Sequence, residues 1–215
     1  MRECTPEDVR DGRAEWSITT GDGPAGLLEL GRVDHVVTDP PYEAESHTKG
    51  WRVAREGEST RRTAVLVPLS LDFAPMTPEL RTMAGIAIAA TCRPWALVFC
   101  QNDAAHLWRR ALAMPLRYIR EGVWIKTDAQ PQMSGDRPGV GWEAIEISHG
   151  PCKGKMHWNG GGKCAVWHFP SQESEFRGHR LHQTQKPLAL MLDLIPYSRT
   201  RVISWPIRSW APGPR

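Results

Sequence analysis

Two short apolar runs constrain this chain more than any other feature. Val33, Val36 and Val37 form the first, in "VDHVVT", and "WALVFC" at residues 95–100 forms the second. Runs of that length read as strands buried on both faces. Between them lies a helical pattern: Thr77 caps a helix opened by Pro78, with Leu80, Met83, Ala84 and Ala87 on one face. Buried strand, helix, buried strand is the signature of an α/β chain with a mostly parallel sheet. "PAGLLELGR" predicts helical turns before the first strand, and Asp103 a cap for a helix over "AAHLWRRALA". "EGVWIKT" and "EAIEISH" read as further strands, and "KPLALMLDLI" as a helix with Pro187 in its first turn. "WSITTGD" reads as a short strand closed by the Gly21-Asp22 turn. Residues 43–63 carry many charges and no period, which predicts a long mobile loop.

The chain has 215 residues, the size of one domain, and its 40% hydrophobic content suffices for a core. No run approaches the roughly 18 apolar residues that a membrane-spanning helix requires. The mixed-charge N-terminus does not read as a secretory signal. Five irregularly spaced cysteines do not suggest a disulfide framework, so the expected compartment is the reducing cytoplasm. A net charge of +3 names no partner by itself. Its distribution says more. Lys153, Lys155, Lys163, Arg177 and Arg180 share one stretch with five histidines and several of the ten tryptophans. The expected organisation is a catalytic α/β part over 1–149, a loop-rich basic segment over 150–181, a loop and helix over 182–196, and an atypical tail over 197–215.

The first buried run ends in Asp39-Pro40-Pro41-Tyr42. Ligands of open α/β sheets bind outside the carboxyl ends of the strands. The prolines stop the ladder and leave the Pro40 carbonyl without a local donor. A carboxylate beside a rigid carbonyl can accept both hydrogens of one amino group, and Tyr42 offers a face on which a ring can stack. A turn-forming strand end is the plain alternative. Four fixed residues recur by chance on the order of once per thousand chains of this length, which favours the site.

Asp39-Pro40-Pro41-Tyr42 resembles the catalytic motif of the amino-group DNA methyltransferases that use S-adenosylmethionine. The order of the other segments is similar to the circularly permuted β group of that family. "TTGDGPAGLLEL" matches the stretch before the catalytic strand; "WALVFCQND", "EGVWIKTDAQPQ" and "DRPGVGWEAIEIS" match the strands after it. "HQTQKPLALMLDLI" resembles the His-Pro-Thr-Gln-Lys-Pro segment, with Gln183 in place of the first proline. The resemblance covers roughly residues 16–195 and implies a Rossmann-like, permuted sheet. It implies methyl transfer to N6 of an adenine flipped out of double-stranded DNA. Asp39 and the Pro40 carbonyl would hold the exocyclic amine, Pro41 would fix the turn, and Tyr42 would stack on the base. Asp22, Thr184, Gln185 and Lys186 would line the S-adenosylmethionine site. No metal is implied.

Residues 149–169, "HGPCKGKMHWNGGGKCAVWHF", are the expected target-recognition surface, with Arg177 and Arg180 just beyond. Lys153, Lys155 and Lys163 would neutralise phosphates, and Trp158 or Trp167 would stack or wedge. A solvated basic hairpin is the plain alternative, and a zinc site from His149, Cys152, Cys164 and His168 is another. The resemblance is compatible with a cognate restriction nuclease and with a homodimer.

Departure from the family pattern begins after residue 195. The family continues into a strand ending in Asp-Pro-Phe-x-Gly-x-Gly-Thr, whereas this chain reads "PYSRTRVISWPIRSWAPGPR". "RVISWP" takes the place of that strand, but no acidic residue follows and the only glycine is Gly213. The expectation is an incomplete sheet, with the tail read in a displaced frame or a gene that has lost its end. Two other readings therefore stand beside the adenine enzyme: a non-catalytic DNA-binding remnant or subunit, and a methyltransferase for cytosine N4 or an amide nitrogen.

Overall fold

In the computed structural model, the described residues are 5–15, 17–18, 21–44, 51–55, 64–68, 73–132, 135–158, 161–171, 184–195 and 202–205. Two short helices precede the sheet. In α1 (Pro6–Arg10), Thr5 and Asp8 form a reciprocal capping box. In α2 (Gly23–Leu30), Asp22 is the cap and its side chain accepts from the Ala25 amide at 2.8 Å. The first apolar run is β1 (Val33–Thr38). Next comes an antiparallel hairpin of β2 (Trp51–Arg55) and β3 (Ala64–Pro68). Helix α3 (Pro78–Thr91) starts where expected, with the Thr77 side chain accepting from Leu80 N at 3.2 Å. It leads into β4 (Cys92–Cys100), α4 (Ala105–Ala111), β5 (Arg117–Lys126) and β6 (Trp142–His149). The chain continues through β7 (Val166–Phe169), α5 (Leu188–Leu194) and β8 (Val202–Trp205).

Six strands form the main sheet in the order β7-β5-β6-β4-β1-β8. The pairs β1–β4, β1–β8 and β5–β7 are parallel, while β6 is antiparallel to both β4 and β5. Five strands therefore run one way and β6 alone runs against them. That reversal has a consequence for chemistry, because the start of β6 lies at the edge where the other strands end. Side chains alternate across the sheet. Val36, Val98 and Ala144 pack under Leu27, Ala84, Ile88, Trp108 and Leu112 of α2, α3 and the α4 region. Val37, Leu97, Phe99 and Ile145 face the other way, under Trp167, Leu190 and Leu194. Covering both faces is what makes the central strands continuously apolar. Gly85 lets α3 approach α4, since a Cβ there would collide with the Ala111 backbone.

Three local expectations change. Asp103 does not cap α4: the cap position belongs to Ala104 and has no side-chain hydrogen bond. Asp103 lies in the preceding turn, where its amide donates to the Asn102 side chain at 3.0 Å. The 43–63 stretch is not one loop. Trp51–Arg55 forms half of a hairpin, pairing antiparallel with the apolar run "AVLVP" of Ala64–Pro68. Ser17 and Ile18 of the anticipated first strand lie outside any strand. Among the described residues no helix is long and apolar enough to cross a membrane.

Candidate active site

Asp39-Pro40-Pro41-Tyr42 leaves the sheet at the carboxyl end of β1. Asp39 is buried, as are both prolines, and Tyr42 is partly covered. Its backbone is anchored from the α3 side. The Met76 amide donates to the Tyr42 carbonyl at 3.0 Å, and Arg81 pairs with neighbouring Glu43 at 2.6 Å.

The same edge collects charge from three other places. Lys126 is the last residue of β5. Glu143 is the second residue of β6, and register sets it beside Trp124 while Ala144 pairs with Cys100. Lys186 comes from the turn before α5. Its Nζ lies 2.7 Å from Asp39 Oδ1, 3.2 Å from Glu143 Oε2 and 3.4 Å from the Tyr42 hydroxyl oxygen. The Tyr42 hydroxyl donates to Glu143 Oε2 at 2.5 Å, and Lys126 Nζ lies 2.7 Å from Oε1. Two carboxylates thus face two ammonium groups. Aromatic rings close around Lys186: its Nζ is 5.2 Å from the Tyr42 centroid, 5.1 Å from Phe99 and 5.9 Å from Trp124, within cation–π range.

These contacts set the ionisation of the group. Burial pushes Glu143 up, but Lys186 and Lys126, with hydrogen bonds from Lys126 and Tyr42, outweigh it and hold its pKa at about 2. Burial pulls Lys186 down, and Asp39 and Glu143 more than reverse that, so its pKa is raised. For Tyr42, burial comes first, with Glu143 and Asp39 adding to it, and all three push the phenol well above its usual range. At neutral pH the tyrosine is a hydroxyl donor and the lysine an ammonium. Neither is a base.

Of the residues singled out from sequence, the structure gathers Asp39, Tyr42 and Lys186 at one point, although Tyr42 and Lys186 are 144 positions apart. Thr184 is partly buried and Gln185 exposed in the turn before Lys186. Asp22 is exposed and occupied as the α2 cap. Lys153, Lys155 and Lys163 are exposed, with Lys163 Nζ 3.5 Å from Asp193. Trp158 is not a free wedge: its ring meets Trp95 edge-on at 4.9 Å and packs on the apolar layer. Trp167 is buried, and its indole donates to Asp193 at 2.8 Å. Arg177 and Arg180 fall outside the described residues. The zinc alternative fails. His149 is buried with Nδ1 at 2.5 Å from the Gly150 carbonyl, and no group of three metal-ligating side chains converges among the described residues. Sequence reading missed Lys126 and Glu143. The available signal was a pair of glutamates, Glu143 and Glu146, inside an otherwise apolar strand, where an unpaired charge is rare.

No family model matches this sequence, and no curated protein does. Solved structures do. The crystal structure of the M1.HpyAVI–SAM complex superposes with a TM-score of 0.50 at 15% identity, covering 82% of this chain and 72% of that one. A second crystal structure of M1.HpyAVI gives 0.43 at 12% identity over 72% of this chain and 68% of that one. The likeness is one of fold.

Proposed function

We propose that this chain is an S-adenosylmethionine-dependent DNA methyltransferase acting on an exocyclic amino group, adenine N6 being the preferred target. The observation that carries the reading is Asp39-Pro40-Pro41-Tyr42 at the carboxyl end of a buried central strand, in a fold shared with a protein crystallised with SAM. Asp39 and the Pro40 carbonyl accept the two amine hydrogens, Pro41 fixes the turn, and Tyr42 carries the flipped base on its ring. S-adenosylmethionine supplies a methyl group already activated by the sulfonium, so alignment of that methyl with the amine is the protein's main task. The edge suits a cationic cofactor, because its carboxylates and aromatic rings already accommodate an ammonium. Thr184 and Gln185, with Asp22, are the residues we assign to hold it. Lys153, Lys155 and Lys163 are assigned to DNA phosphates, as are Arg177 and Arg180, and Trp158 to the rim of that surface.

Methyl transfer from labelled S-adenosylmethionine to defined duplexes tests the reading. Asp39→Ala is expected to lower kcat by about 10²–10³-fold, the scale of losing a preorganised polar contact to the reacting group. A duplex built only of G·C pairs, which offers cytosine N4 and no adenine N6, separates N6 from N4 chemistry. Unlabelled product, or full activity in Asp39→Ala, would overturn it. One feature favours a second reading, a DNA-binding chain without catalysis: residues 196–215 contain no Asp or Glu and a single glycine. Saturable binding of S-adenosylmethionine by calorimetry would count against that second reading.

A further inference from the structure

Glu143 belongs to no part of the amine pocket as the motif defines it, yet Tyr42, Lys186 and Lys126 all make a contact to it. Its Oε2 takes both the Tyr42 hydroxyl at 2.5 Å and the Lys186 ammonium at 3.2 Å, and its Oε1 takes Lys126 at 2.7 Å. The carboxylate is therefore held at both oxygens, from the end of β5, the turn after β1 and the turn before α5. An ammonium has three hydrogens to give, and Lys186 finds three acceptors: Asp39, Glu143 and the Tyr42 oxygen. A phenol ring has no polar grip of its own except at the hydroxyl, and the bond from Tyr42 to Glu143 is charge-assisted, the stronger kind.

We propose that Glu143 is the positioning residue of the amine pocket, fixing the Tyr42 ring through its hydroxyl and Asp39 through Lys186. The proposal rests on reading Asp39–Tyr42 as the site that holds the substrate amine. A ring that must receive a flipped base has to stay at one tilt, and a carboxylate that must receive an amine has to stay at one angle. One glutamate on the rigid start of β6 supplies both restraints. Lys186 in this scheme is the link to Asp39 rather than a contact to cofactor. A misplacement of about 1 Å in such a pocket costs on the order of 10²-fold in rate.

The test uses the full chain with Glu143→Gln, which keeps the shape and an acceptor for Tyr42 but loses the charge, and Tyr42→Phe, which keeps the ring and loses the tether. The first readout needs no DNA. The chain has three tyrosines, and alkaline absorbance titration follows their ionisation, with Tyr42 assigned as the one missing in Tyr42→Phe. We expect Tyr42 to ionise last in the native protein and at lower pH in Glu143→Gln. The second readout is steady-state methyl transfer to duplex DNA. Both variants are expected to lose about 10–100-fold in kcat while KM for S-adenosylmethionine stays within about twofold. A merely structural glutamate would lower the unfolding temperature without that split. An unshifted Tyr42 titration in folded Glu143→Gln overturns the proposal, as does native kcat in folded Tyr42→Phe. If Glu143→Gln does not fold, Tyr42→Phe alone decides. A native protein that transfers no methyl group, yet shows the titration shift, refutes the methyltransferase reading and upholds the tether.

Discussion

Strand β6 carries two glutamates three residues apart on opposite faces of the sheet, and their surroundings drive them in opposite directions. Glu143, at the edge, meets two lysines and a tyrosine within 3.2 Å, and its pKa falls to about 2. Glu146 is fully buried on the α4 side. Its nearest cation is Arg109, whose Nε lies 3.6 Å away and which also faces Glu121 at 3.5 Å and stacks on the Tyr118 ring at 3.7 Å. Neither Glu146 oxygen makes a hydrogen bond among the described residues. Burial dominates there, Arg109 offsets only part of it, and the pKa rises to about 7. Burial alone does not decide whether a carboxylate ionises. What decides is whether donors converge closely enough to replace the lost water.

Breaking the Glu143 side of the comparison should cost most. Glu143→Ala leaves Lys126 and Lys186 without their shared partner inside a mostly covered site, and a loss of about 3–5 kcal/mol is expected from urea unfolding. Removing one cation should cost less. In Lys126→Met, Glu143 keeps Lys186 and Tyr42, so the expected loss is about 1.5–3 kcal/mol, the worth of one hydrogen bond to a charged group. A loss in Lys126→Met as large as in Glu143→Ala would show that Lys186 does not compensate.

The two glutamates also mark what was legible in the sequence. The order strand, helix, strand followed directly from two apolar runs and a capped helix, and the candidate site at the end of β1 was named from four consecutive residues. Such features are local, so one chain suffices to read them. Lys186 was reachable because its neighbours resemble a known segment. Glu143 and Lys126 were not, because their meeting depends on the β5–β6 register and on β6 running against its neighbours. The hairpin of β2 and β3 was hidden for a related reason: Arg52 and Arg55 break any period of two in β2, and the strand exists only through its pairing with β3. In β7, Trp167 sits in a stretch whose glycines, lysines and histidines read as loop. Its pairing with Trp124 draws the stretch into the sheet and makes the tryptophan structural.

The smallest effect is the most discriminating, because it depends on sign rather than size. Glu143 has a folded pKa below the usual carboxylate value of 4.5, so its contribution is present above about pH 4.5 and is lost as pH falls toward 2. Asp8 titrates in the same direction, held low by the Thr5 backbone and by Arg13, so only a difference between variants isolates Glu143. For Glu146 the sign reverses. Its folded pKa of about 7 exceeds the unfolded value, so the folded protein keeps a proton that the unfolded chain releases, and stability falls as pH rises from about 4.5 to 7. Glu146→Gln removes that proton from the balance. The unfolding temperature of this variant, minus that of the native protein, should therefore climb between pH 5 and pH 7 and level off above it, whereas for Glu143→Gln the same difference should be flat across that interval. A flat difference for Glu146→Gln would mean that Arg109 already keeps Glu146 ionised, and the contrast between the two faces of β6 would collapse.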